Sequence, residues 1–193
     1  MGQDTAFAAL VSLACHDLRT PLATVQGFAR VLTRTDDLPD PLPRYLGMMA
    51  TASEQMAALL DDLGLVARIE GGRWEPVPRE VDTLELARAA AARVTGAEVE
   101  VGGTGARTTL DAGVAERALA SLAQGAVRHG GLDRLVLAVD GPVVRLSPVT
   151  PDAAPVVMAE NVRDLGAAVA GRVVAALGGS TALDGDVLEV RLP

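Results

Sequence analysis

Two stretches of this sequence keep a heptad rhythm, and the segment between them is one that no helix can cross. From Asp4 to about Thr35, apolar side chains fall at Phe7, Val11, Ala14, Leu18, Pro21, Val25, Phe28 and Leu32, separated alternately by four and three residues. That spacing predicts a helix with a seam along one side. Asp4 or Thr5 supplies an oxygen that caps its first turn. Residues 36–43 read DDLPDPLP, and proline has neither the free torsion nor the amide that a helix interior requires. A second helix is expected from Arg44 to Glu70, with a seam at Leu46, Met49, Ser53, Met56, Leu60, Leu63 and Ala67 and a stop at Gly71-Gly72. Joined by so short a connection, the two form an antiparallel pair. The pair leaves Leu10, Leu13, Leu22, Leu59 and Val66 beside the seam, which widens the apolar face. Two copies packed as a four-helix bundle would cover it.

After Gly72 the rhythm changes. Residues 73–80 are expected to be a proline-bearing linker, which sets the domains at 1–72 and 81–193. The second region reads as a helix at 81–94, a strand at 98–101, a glycine turn and a strand near 107–110. Then come a helix at 112–129, a hairpin at 134–139 and 143–146, a helix at 162–177, and a closing hairpin at 181–183 and 187–192. Asp140-Gly141-Pro142 and Asp184-Gly185-Asp186 are the hairpin signals. The fold class is α+β: a helical hairpin, then an α/β sandwich with one mixed sheet and helices on one side.

The chain has 193 residues and a formal net charge of -8, with 17 basic and 25 acidic side chains. That balance argues against nucleic acid, which needs a basic patch, and leaves room for a protein partner. One cysteine builds neither a disulfide framework nor, alone, a cysteine metal site, so a reducing compartment is the default, and no metal ligands are assigned on the chain. No segment approaches the roughly 20 apolar residues of a membrane span. The start, MGQDTAF, lacks a signal peptide's basic region, and a cytoplasmic location is expected.

His16 lies between seam positions 14 and 18. At about 100° per residue it falls on the outer face of its helix. Around it the chain reads His16-Asp17-Leu18-Arg19-Thr20-Pro21-Leu22. This closely resembles the phosphorylated box of sensor histidine kinases. Leu60-Asp61-Asp62-Leu63, followed by Ala67-Arg68-Ile69-Glu70, looks like the end of the second dimerisation helix of the same family. The resemblance implies that His16 is the phosphorylated nucleophile. It implies that Asp17 hydrogen-bonds and tunes the ring, and that Thr20, one turn along, positions water for dephosphorylating a receiver. Arg19 is a candidate to steady a phosphate. Imidazole suits the task, because it is nucleophilic near neutral pH and its phosphoramidate is labile enough to pass the group on. His129, before Gly130, reads instead as a cation complementing a helix C-terminus.

The element order of the second region is similar to the ATP-binding domain of histidine kinases, a fold shared with gyrase. Asp111 resembles the aspartate that opens that domain's first conserved helix. The family's Asn-Leu-Leu-x-Asn-Ala run would fall on Ser121-Leu122-Ala123-Gln124-Gly125-Ala126. The metal-holding asparagine is then Gly125, and the lysine that follows is Arg128. The adenine-contacting Asp-x-Gly-x-Gly box is missing from Ser147 to Ala154, and the later glycine-rich box survives only as Asp164-Leu165-Gly166-Ala167. All 17 basic residues are arginine and Asn161 is the one asparagine, so no other residue of that type stands ready to replace it.

An intact histidine beside a degenerate nucleotide domain points to a histidine phosphotransferase of a bacterial phosphorelay. Such a protein shuttles phosphate between receiver-domain aspartates of response regulators through His16. It is expected to be a homodimer that binds no ATP and carries no cofactor, the Mg²⁺ being the partner receiver's. Two alternatives stand beside it. One is a sensor histidine kinase, partner-dependent where its own nucleotide site fails, or a response-regulator phosphatase. The other is a non-enzymatic dimeric scaffold that binds receivers.

Overall fold

The protein is described by a computed structural model covering residues 2–34, 38–161 and 163–193, without the side chains of residues 2–7, 9, 10 and 33. The chain divides into two compact units, Met1–Trp74 and Glu75–Pro193.

The first unit is a helical hairpin of α1 (Gly2–Thr33) and α2 (Leu42–Glu70). The capping expected of Asp4 or Thr5, the seam position Phe7 and the flanking Leu10 concern side chains outside the described set. Thr35, Asp36 and Asp37 lie outside the described residues altogether. Pro21 stands inside α1, whereas Pro41 precedes the first turn of α2 and Pro43 lies in it, where an amide hydrogen has no intrahelical partner to lose. The left-handed residue that ends α2 is Gly72, at φ 63°, rather than Gly71.

The seam differs from the expected one. In α1 the buried residues are Ala8, Cys15, Leu22 and Ala29, interleaved with the half-buried Ser12, Arg19 and Gln26. The 4-3 rhythm is intact but starts one residue later. The stripe read from sequence faces outward: Leu18, Val25, Phe28 and Leu32 are 41–67% exposed. In α2 the inward stripe is Leu46, Ala50, Ser53, Ala57, Leu60, Gly64 and Ala67, while Met49 and Met56 face solvent. Leu46, Ser53, Leu60 and Ala67 were in the expected seam, and small residues replace its methionines. Polar bonds tie the helices together: the Gln26 amide donates to the Ser53 carbonyl at 3.0 Å, and Arg30 pairs with Glu54 at 3.1 Å.

The second unit holds a five-stranded mixed sheet in the order β2-β4-β5-β7-β6 and a separate two-stranded sheet, β1-β3. The strands are β1 Arg79–Asp82, β2 Glu98–Gly105, β3 Arg107–Leu110, β4 Arg134–Gly141, β5 Val143–Ser147, β6 Ser180–Asp184 and β7 Val187–Arg191. The helices are α3 Thr83–Ala91, α4 Ala112–Gly130, α5 Ala154–Val157 and α6 Leu165–Ala176. Strand β2 runs parallel to β4, and the other pairs are antiparallel. Both expected hairpins form. Leu135, Leu137, Val144, Leu146, Leu188 and Val190 point into a core closed by Leu119 and Leu122 of α4 and Val173 and Val174 of α6. The opposite sheet face is polar. Arg145 bridges Glu189 and Asp140 there, and these two carboxylates, Glu189 foremost, hold its guanidinium above the usual arginine range.

Four expectations change. The helix expected at 81–94 begins as strand β1, inside the supposed linker, because Asp82 sits extended and caps α3 through the amides of Leu84 and Glu85 at 2.8 and 3.2 Å. Strand β2 continues through Gly102-Gly103-Thr104-Gly105, and a turn was expected there. A side chain at Gly103 is forbidden, since its φ is 112° and a Cβ would stand 2.0 Å from the Val139 carbonyl oxygen. Strand β3 leaves the main sheet to pair with β1, so there are two sheets where one was expected. The last helix starts at Leu165 because Asp164 caps it through the Ala167 amide, and a short α5 precedes it; Val162 lies outside the described residues.

Thr83 joins these parts. It is fully buried, donates to the Gly141 carbonyl at 2.6 Å and accepts from the Ala106 amide at 2.9 Å. Thr83→Val keeps the shape and orphans both groups, so we expect a loss of about 2–3 kcal/mol in urea unfolding of the chain. An unchanged midpoint would show that these bonds carry no net stability.

Candidate functional site

The inward phase of Ala8, Cys15 and Leu22 fixes where the neighbouring residues point. With Cys15 buried, His16 is turned about 100° outward. Its side chain is 77% exposed. Its Nδ1 lies 3.1 Å from Oδ1 of Asp17, itself an exposed carboxylate. A proton on Nδ1 points at Asp17, which leaves the Nε2 lone pair facing solvent. In that tautomer the ring is a nucleophile with an open approach, and its conjugate positive charge would be stabilised by the neighbouring carboxylate.

Thr20, one turn further, is exposed, and its carbonyl accepts from Thr24 Oγ1 at 3.2 Å. Arg19 belongs to the inward stripe. Its Nε and Nη2 both donate to Oδ1 of Asp61 on α2, at 3.1 and 2.7 Å. Sequence reasoning named Arg19 and quoted Asp61 only as part of the second-helix match. The pairing across 42 residues is visible only once the hairpin closes. Gly64 completes the arrangement: a Cβ there would lie 3.5 Å from Arg19 Nη2, 3.7 Å from Arg68 Nη1 and 3.8 Å from Cys15 Cβ. At the same end of the hairpin, Arg73 reaches Ser12 Oγ at 3.5 Å.

In the second unit, Asp111 opens α4 as its N-cap, with Oδ1 accepting from Val114 N at 3.3 Å and Oδ2 from Val77 N at 3.1 Å. Gly125 is buried, and a Cβ on it would meet Ala167 Cβ at 3.4 Å and Val157 Cγ1 at 3.5 Å. Helices α5 and α6 therefore occupy the space into which a longer side chain at this position would project. Gln124 is committed elsewhere: its Oε1 accepts from the Thr95 amide at 2.9 Å, and its Nε2 donates to the Thr95 carbonyl at 3.1 Å. Arg128 and His129 both reach Oδ2 of Asp164, at 3.0 and 3.3 Å, while Oδ1 caps α6 at 3.1 Å. The cation expected at the end of α4 thus has a defined anion on the next helix. Among the described residues, no group of three or more His, Cys, Asp or Glu side chains is placed to hold a metal ion. No helix is long and apolar enough to cross a membrane.

Residues 8–72 match the His Kinase A (phospho-acceptor) domain family. The probable sensor histidine kinase TcrY of Mycobacterium tuberculosis is 32% identical over 96 residues, which is 50% of this chain and 19% of that protein. The crystal structure of full-length ShkA in complex with AMPPNP superposes on 94% of this chain and 44% of that one, with a TM-score of 0.66 and 26% identity. The Acinetobacter baumannii histidine kinase AdeS covers 92% of this chain at a TM-score of 0.58, with 96% of its own chain matched and 18% identity, a likeness of fold. The chain spans less than a fifth of the length of the curated kinases that it matches.

The two histidines should differ sharply toward diethyl pyrocarbonate. His16 is open, whereas His129 is mostly covered and bonded to Asp164. We expect His16 to be modified at least about tenfold faster by mass spectrometry, and Cys15 to resist thiol reagents until the hairpin unfolds. Equal rates for the two histidines would contradict the placement of His16.

Proposed function

We propose that this chain, a two-component histidine kinase-like protein with a phospho-acceptor hairpin and an α/β domain of the kinase ATPase type, is a histidine phosphotransferase that does not use ATP. The observation that carries the second half of this reading is the packing at Gly125. The resemblance places a metal-holding asparagine there. Gly125 has no side-chain oxygen to offer a metal ion, and a Cβ there would already touch the apolar Ala167 and Val157 at 3.4 and 3.5 Å, so the residues at this position do not fit the metal and its nucleotide. The N-terminus of α6 is capped by the chain's own Asp164, a carboxylate that would repel a phosphate.

In this reading Nε2 of His16 attacks the phosphorus of a receiver's phospho-aspartate in line. The P–N bond forms as the P–O bond breaks, and the aspartate leaves as a carboxylate. Asp17 holds the Nδ1 proton and offsets the positive charge on the ring. The second transfer reverses the roles, with another receiver's aspartate attacking and His16 leaving as neutral imidazole. Metal chemistry belongs to the receiver. Thr20 is the residue placed to orient water if the protein also dephosphorylates its partner.

Dimerisation through the hairpin fits the outward stripe. Leu18, Val25, Phe28, Met49 and Met56 form an apolar face that one hairpin leaves in water, and a second copy of it completes a four-helix bundle. The receptor-kinase reading also draws on a specific observation, since the ShkA structure that covers most of this chain holds AMPPNP.

Phosphorylated receivers from the same organism test the relay, with acid-labile label followed on the chain. We expect His16→Gln to abolish transfer between receivers, and a variant that relays like wild type sinks the proposal. A magnesium–ATP titration tests the other half. We expect the melting temperature to stay put, whereas a ligand at about 100 times its Kd would stabilise by about 2.7 kcal/mol. Gly125→Asn should lower stability by about 1–3 kcal/mol through overpacking and gain no nucleotide response. A nucleotide-dependent rise in either protein favours the kinase.

A further inference from the structure

Arg19 stands one turn from His16 but is engaged with the other helix. Residues three apart on a helix have Cβ atoms about 5–6 Å apart, so the long guanidinium stem reaches a group carried on the His16 ring. Its present bond is of a kind that exchanges easily. Both donors converge on one oxygen of Asp61, the arginine side chain is 42% exposed and the carboxylate 50% exposed. Exposed pairs of this sort contribute little. A phosphoryl group on His16 offers nearly two negative charges and several acceptor oxygens, which makes it the stronger partner for a guanidinium. The α2 residue next to the guanidinium is Gly64, which has no side chain to hold Arg19 in place.

From this juxtaposition we propose that Arg19 is a two-position residue, bound to Asp61 while His16 is bare and to the phosphoryl oxygens once His16 is loaded. Asp61 is then a positioning residue that stores the cation and is released by phosphorylation. Loading and unloading thereby change the charge pattern on α2 as well as on α1, within reach of any partner that covers the histidine. The inference rests on His16 being the acceptor and adds a second residue, on the other helix, to its chemistry.

The test uses phosphoramidate, a small phosphoryl donor that needs neither nucleotide nor receiver, on the full chain. We expect the Arg19 Nε–H NMR signal, assigned with Arg19→Lys, to move on loading, and an unmoved signal overturns the exchange without any variant having to fold. The ³¹P titration of phospho-His16 should have its midpoint about half a pH unit lower in wild type than in Arg19→Gln, because the nearby cation favours the dianion. Asp61→Asn, which removes the competing carboxylate, should lie at or below wild type. Coincident wild-type and Arg19→Gln titrations overturn the proposal, as does an Asp61→Asn midpoint raised to the Arg19→Gln value. A chain that loads and exchanges but does not relay between receivers keeps this inference and loses the phosphotransferase. If phosphoramidate leaves folded His16 unlabelled, both fail.

Discussion

Alanine, cysteine, serine and glycine make up most of the contact between α1 and α2. Helices that meet through such short side chains approach closely and lock in one rotational phase. That close approach positions the rest of the hairpin. It buries Cys15, and so it turns His16 outward. It also brings Arg19 onto Asp61 and sends the larger residues, Leu18, Phe28 and Met56, to the far side. Larger side chains at positions 15, 57 or 64 would separate the helices, and His16 would lose its defined direction without itself being changed.

Much of this was legible in the sequence, and what was not has a physical cause. The 4-3 rhythm was read correctly as a seam, yet α1 carries two such stripes one residue apart. The apolar moment favours the stripe with Leu, Val and Phe. Within one hairpin the contact goes instead to the stripe with small residues, and the bulky one is left facing outward. His16 faces out in both phases, which is why its exposure survived the error. Arg19 did not fare so well: its placement depends on the phase, and its partner is far away in sequence. In the second unit, Asp82, Asp111 and Asp164 each cap a helix, and two of these caps fall where the element boundaries were misjudged. An aspartate in a polar segment gives no sign of which amide it will accept until the chain turns. The strand through Gly102 and Gly103 was missed for the opposite reason, since glycine there answers to a close backbone approach rather than to a turn.

Gly125, where the resemblance would put a metal-holding amide, has two descriptions, and its apolar packing fits the second better. In the first, an asparagine is trimmed away and leaves a gap that solvent or another ligand could fill. In the second, the surroundings have closed over the position. Val157 and Ala167 would meet a Cβ there at van der Waals distance, so the position is lined by packed apolar side chains rather than by oxygen donors. The neighbouring groups follow the same logic. Gln124 spends both ends of its amide on Thr95, and Arg128 and His129 spend theirs on Asp164. These three polar side chains of α4 already have protein partners. Buried or half-buried groups satisfied in this way are costly to redirect.

The two units therefore treat their polar residues in opposite ways. In the second unit the cations near the degenerate motif are tied to a carboxylate that is only 9% exposed and that also caps a helix, an arrangement with little reason to open. At the histidine the corresponding pair, Arg19 with Asp61, is half in water and has no third group to hold it. Both are arginine–aspartate pairs, so the distinction lies in burial and in the number of partners. A chain without lysine cannot switch its arginine pairs by deprotonation, because guanidinium stays charged at any accessible pH. It can switch them only by offering a better anion. A phosphoryl group on His16, as proposed, would be such an anion, and the hairpin holds Arg19 in a pair that is half in water.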